Sequence, residues 1–260
     1  DELAAIKVYL GLPKFGARAP SDPEELSRAQ ARDLVVEVFA PVVMGAAGEL
    51  SAVADAMVAR GWRKPEQPLD LFGFSAGGAA VLSALAEREV PVRRAVLLNA
   101  STGAAASVTA YERATGKTYA WSASAREIAR RSDPRARATE IASSPAPDLL
   151  LLQGGRDALL VDAAAALHAA LAPHYARQPD ARLALRIMSD LAHGVSDPHH
   201  QTAVRAEVVA WFGRSGHAAT KRSLSTKPAC VGGHTRLVIT GQSGLSAHPA
   251  HRRLPYAFPR

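Results

Sequence analysis

Ser75, Asp157 and His193 occur in that order, each just beyond a short apolar run, and together they can perform nucleophilic catalysis. A serine hydroxyl is a weak nucleophile until a base takes its proton. A histidine ring titrates at roughly pH 6.5 when unperturbed, which suits that task. A carboxylate on the far ring nitrogen fixes the tautomer and stabilises the imidazolium. In this division of labour Ser75 attacks, His193 is the base and Asp157 orients it. The N–H of Ala76, at the start of a helix, donates to the oxyanion.

Each residue also has a plainer reading. Ser75 fits a packed tight turn, Asp157 a cap before a helix beginning near 161–162, and His193 an ordinary loop histidine. The agreement of order and placement favours the triad. Asp162 reads as the cap of a helix over 163–171, while Asp190 shares a loop with His193. His199 and His200 follow Asp197-Pro198, the expected cap and first turn of a last helix, and should face solvent.

The elements that must position these groups are visible. Residues 69–74 read as a strand running into Gly73-Phe74-Ser75-Ala76-Gly77, a G-x-S-x-G turn in which glycines leave room around the serine. Behind it Ala79, Ala80, Val81, Ala84 and Leu85 recur at helical spacing. Residues 149–153 and 183–188 are further strands, ending before Asp157 and His193. Serine, acid, histidine is the chain order of α/β-hydrolases.

Residues 6–213 resemble the α/β-hydrolase superfamily, and within it bacterial serine esterases of the prolyl-oligopeptidase and dienelactone-hydrolase branches. GFSAGG, LLLLQGGRDALL and IMSDLAHG carry the resemblance. It implies an α/β-hydrolase fold, a mostly parallel sheet flanked by helices with a small helical cap insertion. It also implies hydrolysis of small-molecule carboxylic esters with no metal and no organic cofactor.

Upstream, residues 6–10 read as a strand, and Ser21-Asp22-Pro23-Glu24-Glu25 as a helix start. Leu34, Val35, Val38, Phe39, Val42 and Val43 continue at helical spacing, with Pro41 expected to kink or divide the helix. A second helical stretch ends at Gly61. After a strand at 95–98, residues 101–147 are too long for a simple crossover and read as the cap. They carry Tyr111, Tyr119, Trp121 and a basic helix near 124–131. The aromatics either line an acyl or alcohol pocket or pack the cap onto the body.

A second oxyanion N–H normally comes from a loop after an earlier strand. Two registers fit. Either Gly11-Leu12 is that loop and Leu12 donates, or 6–10 is the next strand and the loop lay upstream. The latter is favoured, and it leaves the chain without half its oxyanion hole and without the strand beside 69–74.

The chain of 260 residues suits one α/β domain over 1–214, followed by a basic tail over 215–260. Seven of the 31 basic residues and none of the 24 acids lie in that tail, so the body is formally neutral. The net charge of +7 is therefore no argument for nucleic-acid binding by the folded part. The tail reads as mostly disordered apart from a short strand at 237–240, either a non-homologous extension or a natural basic tail. Cys230, the single cysteine, excludes an intramolecular disulfide. No apolar run approaches the roughly 20 residues of a membrane span, and no signal peptide is recognised, so a cytoplasmic protein with no membrane partner is expected. The chain starts without methionine, as a processed protein or a fragment would.

The leading function is a carboxylesterase acting through an acyl-enzyme on Ser75, with peptidase or thioesterase activity as close relatives. The alternatives are a non-catalytic or incomplete hydrolase-fold fragment and nucleic-acid binding through the tail. Substrate size and oligomeric state are left open.

Overall fold

The computed structural model describes residues 5–157 and 160–213, and the backbone of a strand at 234–240. Six strands form one parallel sheet: β1 (Ala5–Gly11), β2 (Leu69–Phe74), β3 (Val92–Leu98), β4 (Asp148–Gly154), β5 (Leu183–Met188) and β6 (His234–Thr240). Their spatial order is β1-β6-β2-β3-β4-β5. The central strands are near-continuous apolar runs because both faces of a parallel sheet are covered. Alternation divides them. Ala95, Leu97, Leu149 and Leu151 join the larger core, whereas Val96, Leu98, Leu150 and Leu152 face the other side.

α1 (Glu25–Asp33) packs on a π-helical segment (Leu34–Met44), which covers the larger core together with α2 (Gly45–Gly48), α3 (Leu50–Ala59) and α4 (Ala76–Glu87). The division expected at Pro41 falls instead at Asp33. Its backbone is extended (φ −159°, ψ 97°), and its carboxylate accepts from the N–H groups of Val35 and Val36 at 3.1 and 2.9 Å. Pro41 lies inside the π-helical segment. In an α-helix a proline collides with the carbonyl four residues back, but a π-helix bonds to the fifth.

The helical run Glu25–Ala59 is long and apolar enough, by length and composition alone, to cross a membrane. Leu34, Val35, Phe39, Val42, Val43, Leu50 and Met57 within it are buried in the core.

The insertion holds α5 (Ala104–Thr115), α6 (Ala123–Ser132) and the single turn α7 (Ala138–Ile141). These helices pack on the π-helical segment and on α4. Tyr119 is buried, meets Trp121 edge-to-face at 5.0 Å and donates its hydroxyl to Asp33. Burial, then the bond to Asp33, pushes its phenol above the ordinary value. Tyr111 and Trp121 also pack against the core, the packing alternative for these aromatics.

α8 (Val161–Tyr175) follows β4, and α9 (Pro198–Gly213) covers the second face with Val204, Trp211 and Phe212. Buried Arg94 fastens the end of α9, donating to the Phe212 carbonyl at 2.7 Å. Burial draws its guanidinium pKa down, and Asp148, 3.7 Å away, opposes that. Fully buried Asp70 pairs with Arg93 at 2.7 Å.

β6 lies between β1 and β2, parallel to both, with Thr240 beside both Gly11 and Phe74. The short strand read at 237–240 is therefore present and longer. The place beside β2 expected to be empty is filled from the far end of the chain. The other tail expectations, and Cys230, lie outside the described residues.

A chain ended after Gly213 tests what β6 contributes. It strips β1 of its partner and opens that side of β2. At about 1 kcal/mol per hydrogen bond, several kcal/mol are lost, and the thermal midpoint should fall by about 10 °C or more. An unchanged midpoint would show that β6 adds no stability.

Candidate active site

The site is built at the carboxyl ends of β2, β4 and β5. β2 ends in Ser75, whose backbone takes φ 53° and ψ −119°, a left-handed region that non-glycine residues rarely enter. Neighbours hold it there. Ser75 N–H donates to Leu98 O at 3.0 Å, and Ser75 O accepts from Gly78 and Ala79 of α4 and from Ser101. These helical bonds begin at Gly78 N, so the N–H groups of Ala76 and Gly77 open the helix without an intrahelical acceptor. Ala76 is thus where the sequence puts it, at a helix start beside the serine.

Small residues make the turn possible. A Cβ on Gly73 would stand 2.5 Å from Gly77 O and 2.7 Å from the Gly78 Cα, and one on Gly78 would stand 2.4 Å from the Ala100 Cβ. Room at the elbow thus depends on Gly78 as well as Gly73.

Ser75 Oγ lies 2.9 Å from His193 Nε2, and His193 Nδ1 lies 2.7 Å from Asp157 Oδ2. A carboxylate only accepts, so Nδ1 donates and Nε2 is left to accept the serine proton. Asp157 is buried, while the His193 side chain is half-exposed and reachable by substrate. Its ring centroid stands 5.5 Å from that of Phe74. This array can carry a proton from a hydroxyl to an imidazole and hold the resulting cation against a buried carboxylate.

The rivals fall elsewhere. Asp162 lies inside the first turn of α8, whose cap position is Leu160, which corrects its reading as the cap. Exposed Asp190 faces Arg156 at 3.8 Å. Asp197 accepts from His199 N–H at the start of α9, as expected; His199 is exposed and His200 half-buried. Among the described residues no cluster of three or more His, Cys, Asp or Glu could hold a metal ion.

Leu12 follows β1, and β6 stands between β1 and β2. Gly11 and Phe74 are thus two strand spacings apart, roughly 10 Å. Leu12 itself is wholly buried in the core. This geometry argues against Leu12 as the second oxyanion donor.

Two residues were missed. Gln153, the last side chain of β4 before the glycines, donates to Asp157 Oδ2 at 3.5 Å. Asn99, just past β3, is fully buried and bonded to both the acid-bearing and the histidine-bearing segments. The available signal was the same for both: a polar residue closing a buried apolar run at the functional edge of a parallel sheet.

The sequence model of the prolyl oligopeptidase family matches residues 47–217, more than half of the chain, and the chain belongs to that family. Its fold is that of the α/β-hydrolase superfamily. No curated protein matches it. Solved structures with a similar fold include dipeptidyl peptidase 4 of Porphyromonas gingivalis, at 13% identity over 80% of this chain, with a TM-score of 0.53. Another is TT1662 of Thermus thermophilus, at 20% identity, covering 82% of this chain and 91% of that one, with a TM-score of 0.55. An S-formylglutathione hydrolase of Staphylococcus aureus matches at 14% identity over 82% of each chain, with a TM-score of 0.44. The chain spans 31% of the length of the dipeptidyl peptidase.

Gly73→Ala tests the elbow. The added methyl meets backbone, which cannot swing aside, so a loss of about 1–3 kcal/mol is expected in urea unfolding. Wild-type stability would mean that the turn yields.

Proposed function

We propose that this chain hydrolyses small-molecule carboxylic esters through an acyl-enzyme on Ser75. The observation that carries the reading is the continuous array from Ser75 Oγ to His193 to Asp157, at 2.9 and 2.7 Å. Ser75 Oγ bonds to the ester carbonyl carbon as its proton passes to His193 Nε2. Asp157 holds the imidazolium, and Ala76 N–H faces the oxyanion. The alkoxy group then leaves with the proton from His193. A water molecule attacks the acyl-enzyme in the same way, giving the acid and free serine.

Esters are favoured because an alkoxide leaves more readily than an amine and asks less of the proton donor. That suits a site with one clear oxyanion donor among the described residues. Peptide hydrolysis is the second reading, favoured by membership of the prolyl oligopeptidase family. Both share the same acyl-enzyme, and pocket shape separates them.

A short-chain p-nitrophenyl ester should give a burst of p-nitrophenol equal to the enzyme present, and a fluorophosphonate should label Ser75. Ser75→Ala should abolish both. Equal turnover by that variant would remove Ser75 from the mechanism. Faster cleavage of a dipeptidyl anilide than of the ester would move the assignment to the peptidase reading.

A further inference from the structure

We infer that Asn99 is a positioning residue that holds His193 within reach of Ser75, an inference resting on the reading of those two residues as base and nucleophile. β5 lies three strand spacings from β2, roughly 14 Å. The segment from Met188 to His193 begins that crossing with a turn, in which Leu191 N–H donates to Met188 O at 3.1 Å. Beyond that turn, its main-chain carbonyls find their partners on the strand ends that the segment crosses.

Those tethers occur in spatial order. Beyond β4, Arg156 N–H donates to Leu191 O at 3.0 Å. Beyond β3, Asn99 Nδ2 donates to Ala192 O at 2.9 Å and to His193 O at 2.8 Å. Beyond β2, the imidazole meets Ser75 Oγ. The Asn99 Oδ1 atom meanwhile accepts from Gly154 N–H at 2.7 Å, on the strand that leads to Asp157. One fully buried amide thus uses both its hydrogens on the base's segment and its oxygen on the acid's. Gly154 permits the close approach, since a Cβ there would lie 2.4 Å from Leu191 O. Asn99 adopts φ 44°, a left-handed conformation that asparagine and aspartate tolerate better than most side chains.

Asn99→Asp preserves shape, backbone tolerance and the oxygen facing Gly154, but offers at most one hydrogen to the two carbonyls. Asn99→Gly accepts the same φ and removes the clamp entirely. With the short-chain ester, kcat should fall about 10- to 100-fold while KM stays within about twofold, the signature of a misplaced base. The low-field NMR signal of the His193 Nδ1 proton should broaden or vanish.

A folded variant with wild-type kcat and an intact low-field proton would overturn the inference. So would one whose only change is a lower melting temperature, or failure of both variants to fold, since each reduces Asn99 to a structural residue. If the wild-type chain neither cleaves the ester nor reacts with a fluorophosphonate, the esterase reading fails instead. The Nδ1 proton, present in the wild type and lost in the variants, would still report on the clamp.

Discussion

Everything at this site depends on carrying an imidazole from the edge of the sheet to a serine three strands inward. β5 is an edge strand and β2 an interior one, yet their side chains meet at 2.9 Å. Parallel strands make this possible because their carboxyl ends all open on one side, so loops from different strands converge there. The histidine-bearing loop crosses the ends of β4 and β3 before His193 reaches Ser75. Its geometry therefore depends on main-chain contacts as much as on the bonds among Ser75, His193 and Asp157.

The same crowding explains the small residues. Gly73 and Gly78 let α4 approach β2 and β3, and Gly154 lets the acid-bearing turn approach the histidine-bearing segment. At the opposite ends of the strands the chemistry differs. Buried charges such as Asp70 and Arg94 are paired or bonded to carbonyls, as unpaired ions there would be costly. Arg94 ties α9 to the sheet, and α9 with Leu191 closes the second core beneath the histidine loop. Packing on the second face thus supports the segment that bears His193.

Much of this was legible in the sequence. β5 follows its apolar run from Leu183 to Met188, and the strand, turn and helix around Ser75 lie where glycine spacing and helical period put them. Local pattern sufficed because each such element buries residues at a fixed period. The break at Asp33 was less accessible, since it draws on Tyr119 from the distant insertion as well as on local N–H groups. A proline is a local signal, but an aspartate ending a helix depends on its tertiary partners.

β6 illustrates the limit most clearly. Its run Leu237-Val238-Ile239-Thr240, β-branched at the last three positions, marks a strand by composition alone. Nothing in those residues says which strands flank it. Parallel pairing requires a crossover, so register and neighbours follow from the whole sheet rather than from adjacent turns. A helix before β2 that starts from β1, together with a buried run at β2, requires only that the two strands share a sheet. It does not require them to touch. The strand between them comes from beyond α9, and its presence moves Leu12 away from the elbow while leaving Ser75, Asp157 and His193 untouched. That is why a meeting of side chains set by strand-end order is readable from one sequence, whereas a neighbour set by strand adjacency is not.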